Sequence, residues 1–138
     1  MGASNELAAA LLDSVFFDTA VPYDADSSIT IALHTAAPGA GGTQSTSEAA
    51  YTGYARQTVG RDAAGWTRTG QTVTNDNAIV FPEASSGPET ITHWSVGRGS
   101  GGSHKIHFSG ALDESIVINN NITPEIPAGQ ISITIGTS

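Results

Sequence analysis

From residue 28 onward the sequence consists of short segments in which apolar and polar residues alternate. Ser28–Thr35, Glu89–Gly97 and Gln130–Ile135 show the pattern most clearly, and Gly, Pro and Asn separate the segments. Successive side chains of an extended strand point to opposite faces, so this period of two predicts β-strands that each bury one face. Isoleucine outnumbers leucine, and branching at Cβ suits the pleated surface of a strand.

Weaker patterns predict further short strands along the same part of the chain. They lie at 53–59, 78–81, 104–109 and 115–119, with a hairpin across 66–74. About eight short strands separated by turn residues are typical of an antiparallel β-sandwich or a jelly-roll-like domain. We therefore expect a mainly β fold over 28–135, within a single domain that spans 1–138.

The first part of the chain has a different period and predicts one N-terminal amphipathic helix over 4–17. Ser4 is a suitable N-cap. Leu7, Leu11 and Val15 recur at intervals of four residues, which places them on one apolar stripe. Such a stripe predicts that the helix packs on the β-sandwich or reaches a neighbouring molecule.

The charge of the chain excludes several classes of partner. The formal net charge is −8, and only 13% of the residues are charged. The basic residues are scattered along the chain: Arg56, Arg61, Arg68, Arg98 and Lys105. Without a basic stripe we expect no binding to nucleic acid and none to anionic membranes. Cysteine is absent, which excludes disulfides and thiolate chemistry.

Motifs for catalysis or cofactor binding are weak. The sequence GRGSGG at 97–102 satisfies G-x-G-x-x-G, but a dinucleotide site needs a helix after it, whereas HKIHF predicts a strand. We interpret this segment as a hairpin loop. His34 and His93 could meet across strands, but no carboxylate is placed beside them by the pattern. We therefore expect no catalytic, cofactor-binding or metal-ligating residues, and no enzymatic activity.

A long polar loop at 36–52 is the candidate region for contacts with another protein. It is too long for a plain connection between strands, and loops of this length are often functional. The residues that we select as candidate contacts are Thr43, Gln44, Tyr51, Tyr54 and Arg56. Tyr51 and Tyr54, with Trp66 and Trp94, are also candidates for stacking on sugars, although packing in the core is the alternative for each.

Several segments, in order along the chain, carry a resemblance to a known family. The most specific are LHTAAPG (Leu33–Gly39) and YTGYAR (Tyr51–Arg56). The segments GWTRTG, NAIVFPEA, ITHWSVG and ITPEIPAGQISITI follow downstream. Over about Leu11 to Ile135 the chain resembles small structural proteins of tailed-phage virions, which are commonly described as tail-fibre-like.

The resemblance implies a virion protein with a β-rich core that is made in the host cytoplasm. Our main expectation is a capsid decoration (cement) protein on the outer surface of the head. Its partners would be the major capsid protein and other copies of itself, arranged as a homotrimer. The alternative is a protein of the tail or tail fibre that binds the host surface. A small hydrolase is a third hypothesis, which the residues support poorly.

Overall fold

The computed structural model describes residues 1–99 and 104–136, and in this part the protein is mainly β with one N-terminal helix. The elements are β1 (Gly2–Ala3), α1 (Asn5–Phe16), β2 (Ser28–His34), β3 (Gln57–Gly60), β4 (Trp66–Thr69), β5 (Thr72–Asn75), β6 (Ile79–Val80), β7 (Glu89–Arg98), β8 (Ile106–Ile118), β9 (Glu125–Ile126) and β10 (Ser132–Thr134). The predicted mainly β fold with an N-terminal helix is confirmed, with ten strands where about eight were expected.

The strands form three antiparallel sheets. The largest has the order β1-β8-β7-β2-β3, the second has the order β10-β5-β4, and β6 pairs with β9. Apolar side chains from all three sheets form one buried cluster, which joins Ile31 and Leu33 of β2 to Ile126 of β9 and Ile133 of β10. The five-stranded sheet therefore packs against the two smaller sheets in a sandwich-like arrangement.

The prediction of two separate strands at 104–109 and 115–119 is wrong, because β8 runs continuously through both. Gly110 and Ala111 stand in the middle of β8, opposite Trp94 and His93 of β7. A Cβ on Gly110 would lie 2.6 Å from Cζ2 of Trp94, so the indole ring requires glycine there. The small residues between the two predicted strands thus make room for a large side chain inside a single strand.

The strand predicted at 53–59 begins only at Gln57, so that Tyr54 precedes it. Gly53 has a φ of 102°, and a Cβ there would lie 2.7 Å from the carbonyl oxygen of Glu83. The chain therefore turns at Gly53 against the segment after β6 instead of extending. The strands β1 and β9 were not predicted, because two residues are too few to show a period.

Strand β2 is buried on both faces. Ile31 and Leu33 belong to the core on one face, and Ala32 and His34, which are wholly buried, point to the opposite face. That second face is covered by the loop after β2, whose Gln44 is also buried. The loop at 36–52 is therefore a layer of the fold as well as a connection.

The predicted helix is confirmed, but most of its apolar stripe is not packed. The hydroxyl of Ser4 accepts a hydrogen bond from the Leu7 amide at 3.0 Å and donates one to the carbonyl of Ile106. Leu7 is buried, whereas Leu11 and Val15 are 41% and 72% exposed. The one buried residue of the helix, Leu7, thus lies in its first turn, next to the N-cap that binds β8.

The segment GRGSGG begins with the last two residues of β7, Gly97 and Arg98, and precedes β8, which pairs antiparallel with β7. The strand β8 follows it, as predicted. Residues 100–102 of this segment lie outside the described residues. Among the described residues, no helix is long and apolar enough to cross a membrane.

Candidate functional site

A buried polar network attaches the loop at 36–52 to the sheet. Nδ1 of His34 lies 2.8 Å from the carbonyl oxygen of Thr46, and Nε2 lies 2.8 Å from Oγ of Ser95. A carbonyl can only accept, so Nδ1 carries the proton and Nε2 accepts from the Ser95 hydroxyl. The amide of Gln44 donates to the carbonyl of Thr30 at 2.8 Å and to Ser95 Oγ at 3.3 Å. Each buried polar group in the network has a partner, which is the condition for such a network to stabilise a fold.

The network is built for a neutral histidine. Burial lowers the pKa of His34, and this effect outweighs the opposing influences of the Thr46 carbonyl and of Glu48. A protonated ring would present a second N–H to the Ser95 oxygen, so the Ser95 hydroxyl would lose Nε2 as the acceptor of its own proton. Protonation of His34 therefore weakens the attachment of the loop.

A second network joins Glu48 of the same loop to Tyr54 and Arg56, which follow the loop. Arg56 binds Glu48 with two parallel hydrogen bonds, Nε to Oε1 at 2.6 Å and Nη2 to Oε2 at 2.8 Å. The Tyr54 hydroxyl donates to Oε1 of Glu48 at 2.9 Å and accepts from the Leu33 amide at 3.2 Å. Burial alone would raise the pKa of Glu48, but the bonds from Arg56 and Tyr54 outweigh it and lower the pKa. The two networks together fix residues 44–48 of the loop on the sheet.

The aromatic residues of this region are structural. Tyr51 is 4% exposed, and its hydroxyl donates to the carbonyl of Pro82 at 2.9 Å. Its ring meets that of Tyr54 edge-on, with centroids 5.4 Å apart, and the Tyr54 ring stacks on Phe81. Burial raises the pKa of Tyr51 to about 12. Because Tyr51 and Trp94 are buried, neither presents a face on which a sugar could stack.

The five candidate contact residues therefore have different environments. Tyr54 and Arg56 lie together on Glu48, Tyr51 lies beside Tyr54, and Gln44 belongs to the His34 network. Of the five, Thr43 is the one whose residue is exposed. The sequence reasoning missed Glu48 and Ser95, which bind three of these candidates. A contact with another protein through this loop would use Thr43 and the exposed residues beside it.

The Ser95–His34 pair has the distance of a nucleophile and its base, but both residues are 0% exposed. A substrate does not reach the serine hydroxyl in this arrangement. His93 lies opposite His34 in the sheet, and its Nδ1 bonds with the Thr92 hydroxyl at 2.7 Å. Within 1–99 and 104–136, no three His, Cys, Asp or Glu side chains are placed to hold one metal ion.

His107 forms a separate titratable site where β8 begins. Its ring meets that of Tyr23 edge-on at 4.7 Å between centroids. Burial, reinforced by the charges of Arg98 and Arg61, lowers the pKa of His107 to about 4, although Asp26 opposes this. Asp26 in turn is bound by Arg98, with Nε and Oδ2 2.9 Å apart, and this hydrogen bond lowers the pKa of the carboxyl group.

We expect the protein to lose stability as the pH falls from about 6.5 to about 4. In this interval the unfolded chain takes up a proton on His107 and the folded chain does not, so protonation favours unfolding. The loss from His107 should be roughly 1–2 kcal/mol, which is less than the full pKa shift implies because the ring is partly solvent-screened. His34, whose pKa is also lowered, adds to the loss.

Urea unfolding at a series of pH values measures this slope. His107→Asn should flatten it, and the same change at the exposed His104 is the matched control. A slope that is identical in wild-type and His107→Asn protein would contradict the assignment.

A groove of about 480 Å³ opens between the five-stranded and three-stranded sheets. Its walls are almost entirely apolar, and it was not predicted from the sequence. The residues that line it are Ile29, Trp66, Arg68, Gln71, Val73, Val96, His107, Phe108, Ile133 and Ile135. The two sheets are therefore not closed against each other at this end of the molecule.

A family model described as podophage GP4 fiber I protein gp80 matches residues 2–134. The chain belongs to this fiber I protein family. A search of curated proteins found no match.

Membership in the fiber I family confirms the resemblance to structural proteins of phage virions. It supports a virion location, and it favours the tail-fibre alternative over capsid decoration. The buried networks around His34 and Glu48 are therefore part of the fold of a fiber I family member.

Proposed function

We propose that this protein is a component of a phage tail fibre that contacts the host surface. The observation that carries the proposal is the match of residues 2–134 to a family of podophage fibre proteins. The match spans the helix and all three sheets, so it concerns the whole described fold. Capsid decoration has no comparable support.

We place the host contact on the exposed rim of the loop at 36–52. This rim consists of Thr35, Thr43, Ser45 and Ser47, which are exposed and polar. Hydrogen bonds fix the backbone beneath it. The backbone amide of Thr35 donates to the Ser47 carbonyl at 2.8 Å, and the backbone amide of Gln44 donates to the His104 carbonyl at 2.7 Å. A rigid polar surface loses little conformational entropy on binding, which favours affinity for a polar receptor.

Localisation of the protein in intact virions tests the proposal. Gold-labelled antibodies against the purified protein, viewed by electron microscopy, should mark the tail of the virion. Label spread over the head would overturn the tail assignment and support capsid decoration. Label on both the head and the tail would contradict a fibre-specific role.

The host contact has its own expected result. Fluorescent wild-type protein should bind cells of the host strain saturably, and Thr43→Arg should weaken that binding at least about tenfold by placing a bulky charge on the rim. Ser115→Arg is the matched control, because Ser115 is exposed on β8, away from the loop. Equal binding by the two variants would remove the rim from the contact and leave the tail location untouched.

A further inference from the structure

The surface of this protein carries two apolar regions that none of the residues in 1–99 and 104–136 covers. The first is the second half of α1 with the residue after it, and we call it the helix knob. It consists of Leu11, Leu12, Val15, Phe16 and Phe17, whose exposed fractions run from 41% for Leu11 to 74% for Phe17. Five large apolar side chains on two helical turns form a patch of the kind that marks an interaction site.

The second apolar region is the groove between the two sheets, and we call it the inter-sheet groove. Trp66 and Ile133 line one wall, and Ile29 and Phe108 line the other. Almost all of the surface inside is apolar, so an apolar occupant fits it and a sugar, with its many hydroxyls, does not. The helix knob does not fill the groove of its own chain, since all residues from Leu11 to Ala20 are exposed.

We infer that the helix knob of one copy inserts into the inter-sheet groove of the next copy. The knob is convex and the groove is concave, so one chain carries both halves of the contact. A contact between two different surfaces of identical chains is heterologous, and it closes into a ring or continues as a filament. This assembly does not depend on where the protein sits in the virion.

The charges around the two surfaces are complementary. Acidic residues accompany the helix knob: Asp13 lies within α1, and Asp18 follows Phe17. The last turn of the helix has no basic residue. Among the described lining residues of the groove there is no carboxylate, whereas Arg68 brings a guanidinium group. In a chain of net charge −8, this local attraction opposes the general repulsion between two copies.

The area of the contact is adequate for reversible association. A fully buried phenylalanine removes roughly 150–250 Å² from solvent, and the knob presents two that are more than two-thirds exposed, with three aliphatic side chains. A specific interface buries roughly 800 Å² on each partner. The knob therefore supplies a large part of such an interface, and the rim of the groove supplies the remainder.

Sedimentation velocity on the purified protein tests this contact with two variants that each remove one half. The knob variant carries Phe16→Ser with Phe17→Ser, and the groove variant carries Ile135→Asp with Arg68→Glu. All four residues are exposed, so both variants should keep the fold, which circular dichroism checks. Wild-type protein should form oligomers, and each variant alone should dissociate at least about 100-fold more readily.

A mixture of the two variants distinguishes the proposed contact from every other arrangement. The intact groove of the knob variant should accept the intact knob of the groove variant, so the mixture should form heterodimers and stop there. Val117→Ser is the matched control, because Val117 is 55% exposed and lies in neither surface, and it should assemble like wild-type. Wild-type protein that is monomeric at all concentrations would overturn the inference.

Two further outcomes identify a different contact. A groove variant that keeps the wild-type oligomer would mean that knobs pair with each other. A knob variant that keeps it would mean that the groove, if it binds at all, takes another segment. Either result overturns the insertion of knob into groove, and neither bears on the tail location.

Discussion

Replacing His34 with alanine is expected to lower the free energy of unfolding by about 3–5 kcal/mol. The imidazole is wholly buried and occupies both of its nitrogens, on the Thr46 carbonyl and on the Ser95 hydroxyl. Alanine leaves a cavity and two polar groups without their partner. A loss of this size is a large share of the stability of an ordinary domain.

Urea unfolding of the variant measures the loss, and Ser115→Ala, at an exposed position on β8, is the control with an expected change within about 0.5 kcal/mol. The released loop should also exchange its backbone amide protons faster, beginning with those of Thr35 and Ala49, which bond to Ser47 and Leu33. A destabilisation below about 1 kcal/mol would mean that the network contributes little.

A double-mutant cycle separates the network from its single members. Ser95→Ala alone should cost about 1–3 kcal/mol, because it leaves Nε2 of His34 without a donor and removes one acceptor from Gln44. The loss of unfolding free energy in the double variant should be at least about 1 kcal/mol smaller than the sum of the two single losses. The reason is that the hydrogen bond between His34 and Ser95 is lost only once. Strict additivity would show that the two residues act independently.

The sequence predicted those parts of the fold in which local pattern and final environment agree. Strand β2 and the hairpin of β4 and β5 were found because their alternation matches the period of a strand. The continuity of β8 was missed because Gly110, which reads locally as a turn residue, is required by the distant ring of Trp94. A contact between strands cannot be seen in the order of residues along one of them.

The candidate site was likewise predicted from the sequence only in part. A long polar loop was recognised as unusual, but its polar residues were taken as contacts when Gln44 is in fact buried against the sheet. Its partner Ser95 lies 51 positions along the chain. The amphipathic stripe of α1 was seen correctly as a stripe, yet the sequence could not say whether it meets its own chain or a neighbour. Because the helix knob is exposed, most of the stripe does not pack against the described part of its own chain.

Gly97→Ala is expected to detach the same loop from the sheet by displacing the side chain of Gln44. A Cβ at this position would lie 2.5 Å from Cδ of Gln44 and 2.6 Å from the carbonyl oxygen of Lys105. The backbone oxygen cannot move without disturbing the pairing of β7 with β8, so the Gln44 side chain is displaced. Its hydrogen bonds to Thr30 and Ser95 are then lost. Overpacking and the lost bonds together should cost about 2–4 kcal/mol.

The control for Gly97→Ala is the same substitution at Gly41, within the loop itself. A Cβ on Gly41 would meet only Nδ2 of Asn5, at 3.6 Å, which is an ordinary contact. Gly41→Ala should therefore change the free energy of unfolding by at most about 0.5 kcal/mol, and a small gain is expected because alanine restricts the unfolded chain. Thermal unfolding of both variants decides the matter. If Gly97→Ala is as stable as Gly41→Ala, the Gln44 side chain has room to move, and the attachment of the loop does not depend on the contact between Gln44 and Gly97. If Gly97→Ala loses host-cell binding and Gly41→Ala keeps it, binding by the rim depends on the position of the buried Gln44 side chain beneath it.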